Sequence, residues 1–287
     1  MVPAKSLVSV VIITRNRAEL FKRAVASIVA QDYRPIEIIV VDNVSDVPVT
    51  VDSGDLSCTV HRNASMLNLS ANRNLGFGIS RGTLVCFLDD DDYFLPRKLS
   101  LLASQLDGVD LCYGNTRMVG SGGRTLGVCR GGGGLEELML HRFAHPNSTL
   151  MRRAVLDDIL FDENMETYED VDFIFRVFRR FRVRHVDELV AIWSRDGRPD
   201  QLTQRNFPRA YRNWLILCEK HSNQIDRSDK LARFYYRKMF LLSLLQRQPA
   251  IALRYLWKFM LRGVLGAKDV APARSIGGVA DSELGRG

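Results

Sequence analysis

The chain has 287 residues, of which 46% are apolar and 25% are charged. This composition is too hydrophobic for a disordered protein and too interrupted by charge for a polytopic membrane protein. The formal charge of +7 is unevenly spread, because residues 205–268 hold fourteen basic and three acidic residues, a net +11, which leaves −4 for the remainder. A uniformly basic protein that binds nucleic acid would not show this division, so we expect no nucleic-acid partner.

The N-terminus and the cysteines bear on the cellular compartment. Residues 1–5 lead directly into a strand-like apolar stretch without the layout of a signal peptide. No window approaches the clean apolar span of about 18 residues that a membrane helix needs. The five cysteines lie far apart and form no Cys-x-x-Cys pair, which favours reduced, buried thiols over a zinc or redox motif. We therefore expect a cytoplasmic protein, with a peripheral position on the cytoplasmic face of the membrane left open.

The first 115 residues alternate between strand and helix patterns. Short apolar runs rich in β-branched residues predict strands that are buried on both faces of a parallel sheet. Apolar residues at helical spacing predict the crossover helices between them. The predicted strands are Val8–Thr14, Ile36–Asp42, Cys58–His61, Leu84–Asp89 and Val109–Tyr113, and the predicted helices are Leu20–Val29, Leu69–Ser80 and Leu95–Leu106. This alternation predicts an α/β nucleotide-binding half over residues 1–115.

The pattern changes after residue 115. The glycine-rich stretch Gly120–Gly134 is interpreted as a mobile loop. A helix is predicted over Glu169–Arg180, a strand over Val183–Trp193, and three amphipathic helices within Thr203–Val264. Gly266–Gly287 holds few large apolar residues and is expected to be a disordered tail. The predicted divisions are an α/β domain (1–200, with halves 1–115 and 116–200), a basic helical extension (201–265) and the tail (266–287).

Four adjacent carboxylates, Asp89–Asp92, stand where the predicted strand Leu84–Asp89 ends. Neighbouring carboxylates repel one another, so the pKa of some of them should rise unless a cation neutralises them. Oxygen ligands at the end of a strand suit Mg²⁺ or Mn²⁺, which would in turn hold a phosphate. A solvated acidic loop or helix N-terminus is the alternative, because acids favour such ends too. The position after a buried strand favours the metal site.

Other strand ends carry polar residues that could join this site. Ligands of open α/β sheets bind at the carboxyl ends of the strands, so Thr14, Asp42 and Asp91 are expected to face one crevice. A strand-terminal Asp can also simply cap a turn. At the start of the predicted helix Glu169–Arg180, Asp170 could act as a general base, while its acidic neighbours could complement the helix N-terminus. The sequence leaves these readings of Asp170 open.

Five short motifs follow one another between about residues 7 and 195. They are Val10-Val11-Ile12-Ile13-Thr14-Arg15-Asn16-Arg17, Val40-Val41-Asp42-Asn43-Val44-Ser45-Asp46, Asn72-Arg73-Asn74-Leu75-Gly76, Phe87-Leu88-Asp89-Asp90-Asp91-Asp92 and Glu169-Asp170. In this order they resemble the family 2 glycosyltransferases of the GT-A fold. The resemblance implies a Rossmann-like, mostly parallel sheet flanked by helices, and an inverting, metal-dependent transfer from a nucleotide sugar, with UDP- or dTDP-sugars favoured. The acceptor would be a glycan or a lipid-linked glycan, in cell-surface polysaccharide synthesis.

The resemblance also implies roles for individual residues. The first two motifs cradle the nucleotide base in this family, which places Thr14, Arg15, Asn16 and Asp42 beside the base and Arg73 on the nucleotide side. The third Asp of the acidic motif, Asp91, would bind Mg²⁺ or Mn²⁺, and Asp89 or Asp90 would reach the ribose or a metal-bound water. Asp170 would be the base that deprotonates the acceptor hydroxyl. On the acceptor side would lie Glu169 and, after the glycine loop, His145.

The chain departs from the family pattern in three places, and one of them is that Asn43 and Val44 stand where relatives often have a second Asp and a Gly. Many relatives carry an aromatic residue where Arg15 stands, although a planar guanidinium could stack on a base similarly. Relatives often carry a late His near the donor phosphates, whereas Trp193–Thr203 contains none. Arg195 or Arg198 could hold phosphate instead, or could simply be solvated. His145 itself could be a ligand, an acid/base or a structural residue next to Pro146.

The helix pattern in Pro249–Leu265 combines apolar residues with cations at a spacing of four. Arg254, Lys258 and Arg262 fall on one helical face, beside Trp and Phe residues. This arrangement is expected of an interfacial helix on anionic lipid. Packing on the catalytic domain with a basic outer face, or an oligomer contact, would explain it too.

Other activities fit the chain less well. A nucleotidyltransferase would need a Gly-rich loop after the first strand, and Thr14–Arg17 contains no glycine. In an NAD-dependent oxidoreductase a Gly-x-Gly motif would have to follow a strand, and Gly76 and Gly78 do not. A catalytically degenerate, membrane-associated scaffold of the same fold is the non-enzymatic alternative, but the intact Asp91 and Asp170 argue against it. We therefore predict a glycosyltransferase.

Overall fold

A computed structural model describes residues 6–141, 144–195, 197 and 207–265. The chain divides into two units, Met1–Asn223 and Gln224–Gly287. The predicted tail, residues 266–287, lies outside the described residues, as does Arg198.

Four parallel strands form the first half of the sheet in unit 1. They are β1 (Val8–Thr14), β2 (Ile36–Asp42), β3 (Ser57–Arg62) and β4 (Leu84–Asp89), in the spatial order β3-β2-β1-β4. Strands β1 and β2 are buried along nearly their whole length, as their continuous apolar runs predicted. Helix α1 (Ala18–Val29) follows β1, and α2 (Leu69–Ile79) connects β3 with β4. The order of these strands and helices is as the sequence predicted.

Helix α2 packs closely on the sheet beside it. It begins after Asn68, whose side chain accepts a hydrogen bond from the backbone N–H of Ala71. Gly76 faces β1 and β2, and a Cβ atom at this position would lie 2.4 Å from Cγ1 of Val11. Only glycine allows this close approach, which holds the helix and its polar residues against the strand ends.

The second half of the sheet is mixed. Its elements are β5 (Tyr93–Phe94), α3 (Lys98–Ser104), β6 (Leu111–Val119), β7 (Thr125–Cys129), α4 (Leu135–His141), β8 (Thr149–Arg152), α5 (Arg153–Asp158), α6 (Glu169–Arg180), β9 (Val183–Ser194) and α7 (Phe207–Lys220). The strand order continues from β4 as β8-β6-β9-β5, with β7 paired to β6. Strand β6 runs parallel to β9 and antiparallel to β7 and β8. This arrangement is the expected α/β architecture.

Several elements differ from the sequence predictions. Strand β6 extends six residues beyond the predicted end at Tyr113, and β7 pairs with it, so part of the predicted mobile loop Gly120–Gly134 is a β-hairpin. The predicted helix Leu95–Leu106 begins only at Lys98, because the short strand β5 precedes it. The sequence patterns missed α4, β8 and α5, which are each four to seven residues long. Such short elements carry too little periodicity to be recognised.

Unit 2 consists mainly of two helices, α9 (Asp229–Leu245) and α10 (Pro249–Leu265), preceded by the single turn α8 (Ser222–Ile225) at the unit boundary. Ser228 caps α9 by accepting a hydrogen bond from the N–H of Leu231. Tyr236 of α9 and Tyr255 of α10 are both buried, with ring centroids 5.7 Å apart. In the part of the chain that the structure describes, each helix is too short or too polar to cross a bilayer.

Candidate active site

The carboxyl ends of β1, β2 and β4 bring polar residues to one edge of the sheet. Thr14 lies opposite Asp42, and Ile13, the neighbour of Thr14, lies opposite Asp89. The hydroxyl of Thr14 donates a hydrogen bond of 2.8 Å to Oδ2 of Asp90. The expected convergence of these strand ends is therefore observed.

Each carboxylate of the acidic run has its own partners. Asp89 is 3.0 Å from Nη2 of Arg73, and Asp90 is 2.9 Å from Nη1 of Arg17. The same Arg17 nitrogen lies 3.5 Å from Asp91. Asp92 accepts hydrogen bonds from Nδ2 of Asn147 at 2.6 Å and from the N–H of Ser194 at 2.8 Å. The run is therefore a set of four differently supported carboxylates rather than a solvated acidic loop.

Burial and mutual repulsion shift the pKa values in this run in different directions. Burial raises the pKa of Asp92 well above its usual range, and the charges of Asp91 and Asp89 raise it further. Burial also raises the pKa of Asp90 despite the charge of Arg17. Burial acts to raise the pKa of Asp89 as well, but Arg73, His145 and Arg17 together bring it below its ordinary value. The protein cations thus stabilise Asp89, while Asp92 lacks sufficient positive charge nearby.

His145 lies beside two of these carboxylates. Ligand atoms of Asp89, Asp92 and His145 lie within 4.8 Å of one another. The imidazole ring also packs on Trp193, with centroids 5.0 Å apart and planes inclined by 33°. Two carboxylate oxygens and an imidazole nitrogen are a donor set that a divalent ion such as Mn²⁺ accepts. The sequence had suggested His145 for the acceptor side and also as a possible ligand or acid/base, and in the structure it lies beside Asp89 and Asp92.

Arg73 connects the end of strand β4 with the start of helix α6. Its side chain is 2% exposed, with Nη2 3.0 Å from Asp89 and Nη1 2.7 Å from Oε1 of Glu169. Burial, followed by the charge of Asp170, raises the pKa of Glu169 to about 7. Because Arg73 and Glu169 are both buried, they can influence a ligand mainly through Asp89 and Asp170. The sequence had suggested Glu169 for the acceptor side and did not indicate this ion pair.

Asp170 is only partly buried, in contrast to Glu169 before it. It lies in the first turn of α6, and its Oδ1 accepts a hydrogen bond of 2.8 Å from the N–H of Val171. Tyr168, directly before the helix, adopts a left-handed backbone conformation with φ of 62°. This turn leaves the Asp170 carboxylate partly accessible while Glu169 points into the protein.

A cluster of polar and charged side chains surrounds the buried Asp172 of helix α6. Asp172 is fully buried and lies 2.9 Å from Nε2 of His221, 2.7 Å from Nη2 of Arg176 and 2.9 Å from Nζ of Lys220. Burial acts to raise the pKa of Asp172, but these three groups lower it to about 2. The sequence had suggested that Asp172 complements the helix N-terminus. The contacts of Asp172 with Lys220, the last residue of α7, and with His221 after it were missed, because 48 or 49 residues separate them from Asp172.

The residues predicted to surround the nucleotide base differ in their burial. Asp42 is buried: Oδ1 accepts the N–H of Ser45 at 2.8 Å, and Oδ2 lies 3.5 Å from Nη1 of Arg62. Nδ2 of Asn16 donates a hydrogen bond of 3.1 Å to Oδ2 of Asp46, and the backbone N–H of Asp46 donates one of 2.7 Å to Oδ1 of Asn16. Asn16 thus links the loops after β1 and β2.

The side chain of Arg15 is exposed, and its Nη1 lies 3.3 Å from Sδ of Met66. Arg195, the suggested phosphate ligand, lies over the ring of Trp193 at 4.9 Å.

A polar pocket of about 210 Å³ lies beside the acidic run. It is lined by Arg23, Tyr93, Ser194 and residues 119–123 of the hairpin turn. Nη2 of Arg23 donates to the carbonyl oxygen of Asp91 and, at 3.0 Å, to the hydroxyl of Ser194. The sequence patterns missed Arg23, which belongs to α1 and carries no motif of its own.

Comparison with known proteins now gives the family. The family described as Glycosyl transferase family 2 matches residues 9–160, which include four of the five motifs. The chain belongs to this family. It is therefore a glycosyltransferase, and the resemblance read from the motifs is confirmed.

The most similar curated proteins and solved structures agree with this family. The chain is 28% identical over 189 residues to an uncharacterized glycosyltransferase, YwdF, of Bacillus subtilis, covering 62% of this chain and 70% of that protein. It is 26% identical over 243 residues to the GalNAc(5)-diNAcBac-PP-undecaprenol beta-1,3-glucosyltransferase of Campylobacter jejuni, covering 76% and 74%.

Among solved structures, S. aureus TarS 1-349 in complex with UDP-GlcNAc is similar with a TM-score of 0.65 and 20% identity, covering 89% of this chain and 81% of that one. In a further TarS crystal structure this chain covers 43% of the longer TarS chain. The likeness in fold confirms the expected GT-A architecture of this family 2 glycosyltransferase.

Proposed function

We propose that this glycosyltransferase is metal-dependent and inverting, and that it moves a sugar from a UDP- or dTDP-sugar to a glycan or lipid-linked acceptor. The observation that carries the proposal is the meeting of the acidic run with a partly accessible Asp170, through the buried bridge of Arg73 and Glu169. The carboxylates that would act on the donor and on the acceptor are thereby fixed relative to each other. A single-displacement transfer needs this arrangement, because leaving group and base must act together.

The nucleotide would bind at the ends of β1 and β2. Oδ2 of Asp42 is buried and has no hydrogen-bond donor within the described residues, apart from its ionic contact with Arg62. A carboxylate can accept the imino N–H of uracil or thymine, so this oxygen suits a UDP or dTDP donor. The bound UDP-GlcNAc in the similar TarS structure supports a nucleotide sugar as donor. The exposed Arg15 would stack on the base.

A divalent ion fits the acidic run chemically. Asp92 has a pKa raised by burial and by its acidic neighbours, so an additional cation would stabilise its charged form. The residues that would hold Mg²⁺ or Mn²⁺ are Asp91, as the family resemblance implies, together with Asp89, Asp92 and His145, whose ligand atoms converge. When bound, the ion would supply positive charge for the diphosphate as the bond to the sugar breaks. His145 would also provide the nitrogen that the family more often has later in its sequence.

Asp170 would act as the general base. Its carboxylate accepts the proton of the acceptor hydroxyl while that oxygen forms a bond to the anomeric carbon, and the nucleoside diphosphate leaves from the opposite face with the bonding electrons. Inversion of the anomeric configuration follows from this single displacement. The Arg73–Glu169 pair beneath it would fix the start of α6, and the Asp172 cluster would hold the same helix one turn further on.

The acceptor side would include the pocket lined by Arg23, Tyr93 and Ser194. An aromatic ring beside hydroxyl and guanidinium donors suits a sugar ring or an anionic group attached to it. By name, the Campylobacter jejuni relative acts on an undecaprenol-diphosphate-linked glycan, and a relative of 24% identity in Escherichia coli is a putative colanic acid biosynthesis glycosyl transferase. Both support a role in cell-surface glycan synthesis.

Calorimetric titration with UDP, with and without Mn²⁺, tests donor and metal together. We expect Mn²⁺ to tighten the binding of UDP, and Asp91→Ala to remove this gain. Unchanged affinity in that variant would contradict the assignment of Asp91. A donor screen by thermal shift over nucleotide sugars with Mn²⁺ then identifies the sugar, since a ligand that binds the native state raises its melting temperature.

A further inference from the structure

The two helices of unit 2 expose apolar side chains to an unusual degree. Seven of the thirteen large apolar residues that are exposed among the described residues lie within residues 241–261. In α9 they are Leu241, Leu244 and Leu245, at 37%, 50% and 56% exposure, and in α10 they are Leu253, Trp257, Met260 and Leu261, at 65%, 64%, 52% and 43%. Their spacing places them on one stripe of each helix, opposite the buried residues Tyr236 and Tyr255. We call these seven residues the apolar stripes.

The same segment is basic throughout. Residues 229–265 contain eight Lys and Arg residues and one acidic residue, Asp229 at the start of α9. Arg233 and Arg237 are exposed and lie two turns and one turn before Leu241, respectively, on the same side of α9. In α10 the exposed Arg254 lies beside Leu253 and within one turn of Trp257. Apolar stripes and cations therefore share the exposed surface of both helices.

The charge distribution selects the occupant of this surface. An interface between two copies of the chain would bring two such basic segments together, and their like charges would repel. An anionic bilayer surface avoids this repulsion, because acyl chains accept the apolar side chains while lipid headgroups attract the cations. Tryptophan is enriched at this depth of a membrane.

We propose that helices α9 and α10 bind an anionic lipid surface through the apolar stripes and the adjacent cations. The inference extends the surface expected from the sequence, residues 249–265, to the last turns of α9 and its basic face. It rests on unit 2 alone and is independent of the donor, the metal and the base. Failure of the proposed transferase activity would therefore leave it untouched, and its own failure would not affect that activity.

Co-sedimentation of the full-length protein with sucrose-loaded vesicles tests the proposal. At about 0.1 M NaCl we expect binding to vesicles with about 30% phosphatidylglycerol in phosphatidylcholine, and at least about tenfold weaker binding to phosphatidylcholine alone. Leu253→Ser with Trp257→Ser should weaken binding to the anionic vesicles about tenfold or more. Arg233→Gln with Arg237→Gln and Arg254→Gln should do the same and should reduce the salt dependence.

Matched variants elsewhere in the chain control for nonspecific effects. Val60→Ser with Leu160→Ser removes two apolar side chains that are each 46% exposed in unit 1. Lys22→Gln with Arg97→Gln and Arg182→Gln removes three exposed cations there. Both sets should leave vesicle binding unchanged, and circular dichroism melting of every variant verifies that it is folded.

Three results would overturn the proposal. Binding that ignores lipid charge, or that the unit 2 variants retain, would exclude this surface. Light scattering that shows a dimer, dissociated by Leu253→Ser with Trp257→Ser, without vesicle binding would assign the stripes to a second copy of the chain. Vesicle binding that emerges only when residues 266–287 are deleted would show that this segment covers the stripes in the full-length protein.

Discussion

The acidic edge of the sheet and the basic helix pair of unit 2 differ in how far their charges are paired within the protein. At the sheet edge and the start of α6, Asp89, Asp90 and Glu169 each lie within 3.0 Å of an arginine of the same chain. Residues 229–265 contain eight basic residues and one acidic residue, Asp229. Buried charges need partners inside the protein, whereas exposed charges can remain for an external partner. The first region therefore pairs its carboxylates within the protein, and the second exposes cations at its surface.

The largest expected effect concerns Asp170, which is only partly buried. Asp170→Asn should lower turnover about 10³-fold, because the amide cannot accept the proton of the acceptor hydroxyl. Affinity for UDP with Mn²⁺ should stay unchanged. Asp55→Asn, at a 79% exposed side chain, is the matched control. A normal rate for Asp170→Asn, measured as release of UDP in the presence of acceptor, would remove the assignment of the base.

Removal of the buried bridge should cost stability. Arg73→Met leaves Asp89 and Glu169 buried without their cation, so the free energy of unfolding should fall by about 3–5 kcal/mol. Arg130→Met, which breaks an exposed pair with Asp187, should cost about 0–1 kcal/mol. Urea titration followed by circular dichroism measures both. Equal losses in the two variants would show that the bridge is no different from a surface ion pair.

The proposed role of His145 as a metal ligand can be tested separately from that of the acidic run. His145→Ala should weaken Mn²⁺-dependent UDP binding about 10- to 100-fold, with little effect on UDP binding without metal. Calorimetry of the variant over a range of Mn²⁺ concentrations provides the measurement. His61→Ala, at an exposed histidine on β3, serves as control. If His145→Ala leaves the Mn²⁺ requirement unchanged, Asp91 would hold the ion without the imidazole.

The ionic cluster beneath α6 predicts a pH dependence of stability. The pKa of Asp172 is lowered to about 2 in the folded protein, so its stabilising effect is complete above its unfolded pKa, which is about 3.9. That contribution, roughly 2 kcal/mol, should disappear as the pH falls from about 5 to 2. Asp172→Asn should therefore be less stable than the wild type at pH 7 and converge with it at low pH. Denaturant titrations at several pH values measure the difference, and a gap that stays constant with pH would contradict this.

The smallest effect is expected for the basic face of unit 2. Arg233→Gln with Arg237→Gln should change the free energy of unfolding by less than about 0.5 kcal/mol, since both side chains are exposed. Thermal unfolding with and without anionic vesicles measures the change. A loss above about 1 kcal/mol without vesicles would mean that these cations stabilise the fold and would weaken the contrast with the sheet edge.

Much of the fold was predictable from local patterns. Strands β1, β2 and β4 and helix α6 begin and end at the predicted residues, because long apolar runs and a strong helical period decide these elements locally. The hairpin of β6 and β7 was missed because its glycines predict a loop. In the fold, Gly131 closes against Tyr113 and His185, where a Cβ atom would lie within 2.5 Å of both side chains.

By itself, the sequence determined the order of the motifs, the family and the strand edge at which Thr14, Asp42 and Asp89 meet. Only the tertiary structure decided that His145 joins Asp89 and Asp92, that Arg73 connects Asp89 with Glu169, and that His221 holds Asp172. These contacts join residues that are 16 to 96 positions apart. No periodicity in a single sequence records such pairs, since they arise when packing brings separate elements together and buried charges require partners.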